Sequence, residues 1–120
     1  MLLIDGSIMA ESLKVLGQSS PNATTATVLY TVPTSFQTVV STIAVCNRNA
    51  SADTFRIIVQ KAAEQASILN KQYVAYDTVV AKNDTTFITV GMTLAAGDRI
   101  QVYAGTTTLS FTAFGSEAGV

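Results

Sequence analysis

Eight carboxylates, four tyrosines, a single cysteine and no histidine are the side chains from which this sequence could build a reactive site. Without histidine, the commonest general base, the usual partner of a nucleophilic serine and the commonest metal ligand are all missing. Cys46 has no second thiol and no imidazole to join it, which excludes an internal disulfide and cysteine-based zinc sites and fits assembly in a reducing compartment. It stands in an apolar run and reads as a buried small hydrophobe. A carboxylate pair for glycoside hydrolysis would have to come from Asp53, Asp77, Asp84, Asp98 and Glu117. These acids stand mostly among turn-forming residues, where solvated loop carboxylates are found, and no loop concentrates them as a calcium site requires. There is no Gly-x-Ser-x-Gly elbow, phosphate-binding loop or dinucleotide fingerprint, and the seven glycines fall mostly at expected turns. The residue types therefore imply no catalytic centre, no cofactor and no metal, and the chain is not expected to be an enzyme.

Binding chemistry is harder to dismiss than catalysis. Tyr30, Tyr73, Tyr76 and Tyr103 would serve as sugar-binding platforms if their rings faced outward. Strict strand alternation sends at least half of them to buried or interface positions and places Tyr73 and Tyr76 on opposite faces. Nucleic acid is not an expected partner. The basic residues Lys14, Arg48, Arg56, Lys61, Lys71, Lys82 and Arg99 are scattered, the formal net charge is −1, and no cluster could neutralise several phosphates together. Nor is a membrane, because no run of about 18 apolar residues occurs. The opening MLLIDGSIMAE lacks the basic start of a secretory signal, so the tripeptides beginning at Asn22, Asn49 and Asn83 read as loop asparagines and not as sugar attachment sites.

The elements that would have to position these groups are strands. β-branched runs recur from about residue 25 at turn spacings of roughly 8–12 residues, the signature of a sandwich or barrel. Strands are expected at Thr25–Thr31, Gln37–Cys46, Thr54–Gln60, Gln72–Val80, Thr85–Leu94, Arg99–Ala104 and Thr108–Phe114, with a bulge at Gly91 and a positive φ at Gly97. Gln37–Cys46 is largely apolar or small on both faces and reads as a central strand covered on both sides. Only Lys61–Asn70 has helical character, enough for one or two turns or a long loop. The expected fold class is all-β: an antiparallel, jelly-roll-like β-sandwich of about eight short strands. Alternation places Val28, Tyr30, Val39, Ile43, Val45, Phe55, Ile57, Val59, Val74, Ile88, Val90, Ile100, Val102, Leu109 and Phe111 in its core.

The 120 residues support one domain, and only 12% of them are charged while 48% are hydrophobic. An average soluble domain carries about 25% charged residues. The surface must therefore consist largely of Thr, Ser, Asn, Gln, Ala and Val, which defends poorly against association and implies that other subunits cover part of it. Residues 1–11 differ from the rest. Leu2, Leu3, Ile4, Ile8 and Met9 follow neither a strand nor a helix period, and Ser12–Gly17 reads as a short edge strand. Two placements fit this segment, an arm lying on a neighbouring subunit or a cap on the chain's own core. The reading adopted is the arm, residues 1–11, ahead of a sandwich domain at 12–120. Leu2, Leu3, Ile4, Ile8, Met9 and Leu13 are its candidate assembly contacts.

Three groups of segments carry a family likeness. They are LKVLGQSSP leading into VLYTVP, which ends at Pro33; STIAVCN, which ends at Asn47; and Tyr76-Asp77 followed by GMTLAAGDRIQVYA and LSFTAFGSE, from Gly91 to Glu117. Together they resemble small β-sandwich virion proteins of tailed bacteriophages, found in capsid cement (decoration) or fibre roles. The likeness covers most of the chain from about residue 12, and its motifs are structural. It implies a mechanical function. The chain would be a homo-oligomer, dimer or trimer, on the outer surface of the capsid, bound to the major capsid protein and stabilising the head after assembly in the host cytoplasm. A fibre, neck or tail component of the same particle is the alternative it leaves open, with a glycan-binding module behind both.

Overall fold

The computed structural model describes residues 2–4, 7–9, 11–89 and 91–120, and for the first two of these stretches the backbone alone. In chain order the strands are β1 (Leu2–Ile4), β2 (Ser7–Met9), β3 (Glu11–Ser19), β4 (Thr27–Thr31), β5 (Phe36–Asn47), β6 (Asp53–Gln60), β7 (Tyr73–Val80), β8 (Thr85–Ile88), β9 (Met92–Leu94), β10 (Arg99–Ala104) and β11 (Leu109–Gly119). β4, β10, β6 and β7 lie side by side in a four-stranded sheet, and β3, β11 and β5 followed by β8 and β9 make a five-stranded one. Every ladder in both sheets is antiparallel. β8 and β9 both pair with β5, so they act as one strand interrupted near Gly91, whose φ is +61°. Counted this way, eight strands follow jelly-roll order, changing sheet at every step except between β6 and β7, which are neighbours in one sheet. The expected all-β sandwich is the fold. Lys61–Asn70 is a loop closed by a single 3-10 turn at Asn70–Gln72. Among the described residues no helix is long and apolar enough to cross a membrane.

The two sheets meet in one apolar layer. Phe55 from the four-stranded sheet and Phe111 from the five-stranded one touch edge to face, with centroids 6.1 Å apart and planes at 73°. Ile43, Val45, Ile57, Ile100, Val102 and Leu109 surround them, all fully buried.

Three valines expected in this layer lie outside it: Val28, Val39 and Val74 are exposed. Each stands beside a bulge. Leu29 is an extra residue of β4 opposite the Ile100–Gln101 step, Ser41 is extra in β5 opposite Phe114–Gly115, and Val74 is itself extra in β7 opposite Ile57–Ile58. One extra residue inverts the alternation on its far side, so the neighbour that a strict period of 2 sends inward turns outward. Leu29 and Val40 are buried instead. Val59 and Ile88 are half-buried against the core, and Val90 lies outside the described residues. β5 is central, as expected, but within this chain only one of its faces is covered; Thr42, Ala44 and Cys46 are half-buried on the other.

A polar clamp ties the sheets together at one end. The Tyr30 hydroxyl, from β4, donates to the Glu117 carboxylate of β11 and lies 2.7 Å from the Thr38 hydroxyl of β5. Lys14 of β3 completes the set with an ion pair of 2.6 Å to Glu117. Glu117 is therefore no solvated loop acid: it is 5% exposed and sits inside a strand. Burial pulls its pKa upward, but the hydrogen bonds from Lys14 and Tyr30 outweigh that pull and hold it below the usual carboxylate range. The stability this confers is present above the usual carboxylate pKa and is lost as the pH falls through the lowered native one. Tyr30 responds in the opposite sense. Burial and the bond to Glu117 push its phenol up to about 12. The neutral phenol thus stabilises the fold fully below about pH 10, and that contribution is lost as the pH rises toward 12. Tyr30→Phe is expected to cost about 1–3 kcal/mol at pH 7, because Glu117 and Thr38 lose a buried partner. It should also flatten the fall in stability above about pH 10. Urea midpoints of both proteins at pH 7 and pH 11 check both effects.

Candidate functional site

Two surfaces, one on each sheet, stand out. The first is the outward face of the five-stranded sheet. Register lines up Leu13, Ser116 and Val39 in one row across the strands, Val15, Phe114 and Thr42 in a second, and Thr112, Ala44 and Phe87 in a third. Leu13 is 80% exposed and Phe87 64%, with Val15, Val39 and Phe114 also open to solvent. The rest of the face is Thr, Ser, Gln, Ala and Cys46. Charge is confined to its ends: Glu11 begins β3, and Arg48 closes the opposite end by bonding Ser20, Ser110 and the Thr107 carbonyl. An uncharged β surface studded with two exposed phenylalanines is costly to leave in water.

Of the six candidate contacts read from the sequence, the structure places Leu13 at the edge of this face. Leu2, Leu3 and Ile4 lie in β1, and Ile8 and Met9 in β2, which pair as a separate two-stranded hairpin with Leu2 opposite Met9. The side chains of those five lie outside the described residues, as does Asp5-Gly6, which joins the two strands. Sequence reading placed Val39 in the core and did not name Phe87 or Phe114 as assembly contacts. Phe114 does alternate away from Phe111, which was the available signal, but Val39 is turned outward by the Ser41 bulge, which leaves no mark in composition.

The second surface lies on the outward face of the four-stranded sheet. Tyr76 and Asp77 together oppose the single residue Arg56 at a bulge in β7, and Asp77 adopts φ +49°. The bulge at Val74 puts Tyr73 and Tyr76 on one face, where plain alternation places them on opposite faces, and the bulge opposite Arg56 adds Asp77 to them. Their rings meet edge to face at 4.9 Å. The Arg56 guanidinium carbon lies 4.1 Å from the centre of the Tyr76 ring and 4.4 Å from that of Tyr103. Its Nε donates to Asp77 Oδ1 at 2.7 Å. The hydrogen bond it donates to Asp77 raises the pKa of a guanidinium that is in any case always protonated, so Arg56 stays a cation. Tyr76 is 57% exposed, Tyr73 and Tyr103 are half-buried, and Tyr30 is in the clamp.

Beside this cluster the 61–72 loop folds over the sheet. Gln60 points outward yet is wholly buried. Its amide oxygen accepts from Arg99 Nε at 2.8 Å and from Gln101 at 2.9 Å, and its amide nitrogen donates to Gln72 at 3.0 Å. The network anchors the loop and leaves no buried side-chain polar atom without a partner among the described residues.

The remaining acids stand apart. Asp53, expected in a loop, begins β6, is nearly buried, and accepts from the Thr54 and Thr106 backbone N–H groups and the Thr106 hydroxyl. Asp98 caps the Ala95 and Ala62 backbone N–H groups, and Asp84 caps that of Thr85. Among the described residues no group of three or more acids or cysteines could hold a metal ion. No family model matches the chain, and no curated protein does.

Proposed function

We propose that this chain is a non-enzymatic structural protein of a tailed-phage particle, a cement subunit that binds the outside of the major capsid lattice and stabilises the head. The observation that carries the reading is the uncharged, phenylalanine-bearing outer face of the five-stranded sheet. The kind of particle rests on the likeness in sequence to phage virion proteins. A face without charge can be buried with little ion desolvation, so it suits a broad contact of about 800 Å² per partner. Many copies on a repeating lattice would make even weak contacts durable. Leu13 links this face to the N-terminal hairpin, and both would lie against the neighbouring subunit.

The test uses heads of the parent phage that lack the protein, with binding read by co-sedimentation. The native protein should bind and raise the temperature at which heads release DNA. The double variant Phe87→Asp, Phe114→Asp should keep its fold, since both side chains point to solvent. It should lose at least about tenfold in affinity, because two carboxylates would be buried without partners. Failure of the native protein to bind, or undiminished binding by the variant, overturns the reading. A copy number of about a dozen or fewer per particle would move the protein to the neck or tail.

A further inference from the structure

We infer that Tyr76, Arg56 and Asp77 form a binding subsite for a neutral sugar ring, with Tyr73 and Tyr103 setting the platform. This goes beyond a lattice-binding role and uses the opposite sheet. Three features of the cluster carry it. The first is its construction. Two bulges on the edge strand β7 place two aromatic side chains and a carboxylate on one spot, and Asp77 holds a left-handed backbone conformation that few residues other than glycine adopt. A strand with plain alternation would have separated Tyr73 from Tyr76.

The second feature is charge. The cluster holds one guanidinium and one carboxylate, bonded to each other at 2.7 Å, and is otherwise uncharged. It offers no surplus cation to a phosphate, uronate or sialate and no surplus anion to an amine. It does offer fixed donors beside fixed acceptors: Arg56 has N–H groups beyond those aimed at Asp77, and each carboxylate oxygen of Asp77 can accept from more than one group. Adjacent hydroxyls of a sugar, each both donor and acceptor, match that pairing.

The third feature is the ring. Tyr76 keeps more than half of its surface open although Arg56 lies against it. The C–H bonds on one side of a pyranose are weakly positive and apolar, and they pack on the negative face of an aromatic ring. Arg56 and Tyr73 hold that ring in place before a ligand arrives, so little side-chain freedom remains to be lost on binding.

The experiment screens the full chain on an array of neutral glucan, galactan and mannan oligomers, with uronate and sialylated oligomers, oligo(dT) and a proline decamer as comparators. Array hits are titrated in solution. Saturable binding to a neutral oligomer is expected. Tyr76→Ala should weaken it at least about tenfold, and Tyr76→Phe, which keeps the ring, should stay within about threefold. Asp77→Asn tolerates the same backbone and removes the charged acceptor; it too should weaken binding several-fold without changing the unfolding midpoint by more than a few degrees. The inference is overturned by any of three results: no binding to any neutral oligomer, binding that Tyr76→Ala leaves intact, or preference for oligo(dT), the proline peptide or the acidic oligomers. Lattice binding by Tyr76→Ala should equal that of the native protein.

Discussion

Phe111→Ala is expected to lose about 3–5 kcal/mol of folding stability, the cost of removing a fully buried aromatic side chain whose surroundings relax only in part. Phe111 has no exposed surface and comes from β11, the strand that pairs with both β3 and β5. Its ring meets Phe55 across the sandwich, so the cavity would open between the sheets and not at their rim. Small domains hold only about 5–15 kcal/mol in total, so the variant should sit close to the unfolding threshold. Phe111→Leu, which fills most of the volume, should recover more than half of the loss. Urea unfolding of the three proteins checks this, with unchanged m-values showing that the native state remains the reference.

Gly115→Ala should be nearly as damaging, although it adds only a methyl group. A Cβ at position 115 would lie 2.0 Å from the Val39 carbonyl oxygen and 3.0 Å from a Leu16 methyl. The first of these is backbone, so rotating a side chain cannot relieve it. β11 would have to move away from β5 next to the Ser41 bulge, and a loss of about 3 kcal/mol is expected. In melting temperature that corresponds to a fall of about 10 °C for a domain of this size. Gly17→Ala should behave alike, since its Cβ would meet the Leu29 carbonyl oxygen at 2.1 Å. Gly119→Ala is the control, because nothing lies within 4 Å of its would-be Cβ. It should leave stability unchanged or raise it slightly by restricting the unfolded chain. Equal losses at 115 and 119 would show that strand flexibility, and not close approach, makes these glycines necessary.

Those glycines mark where sequence reading stops. Gly97 is assignable to a turn from its neighbours, Ala95-Ala96 and Asp98, and its φ of +83° agrees. Gly17 and Gly115 sit inside strands, and their need for a missing Cβ comes from Leu29 and Val39, residues that are remote in sequence. The end of β11 shows the same limit. Phe114 reads as the end of the last strand because Gly115, Ser116 and Gly119 are poor strand formers in isolation, yet pairing with β3 and β5 on either side carries it to Gly119.

The class of fold, the positions of the main strands, most of the core and the scarcity of charge are legible in the residues alone. Each of these follows from local alternation or from composition. Which apolar residues face outward is set by the pairing of the strands. Val28, Val39 and Val74 are indistinguishable by type from the buried valines. An extra residue beside Val28 and Val39 turns them outward, Val74 is itself the extra one, and whether a residue is extra depends on the length of the partner strand it pairs with. Both candidate surfaces rest on such bulges: Val39 joins the outer face of the five-stranded sheet through Ser41, and Tyr76 with Asp77 opposes Arg56 through the bulge in β7. Side-chain direction within a strand is local, but the register that sets it is a property of the sheet.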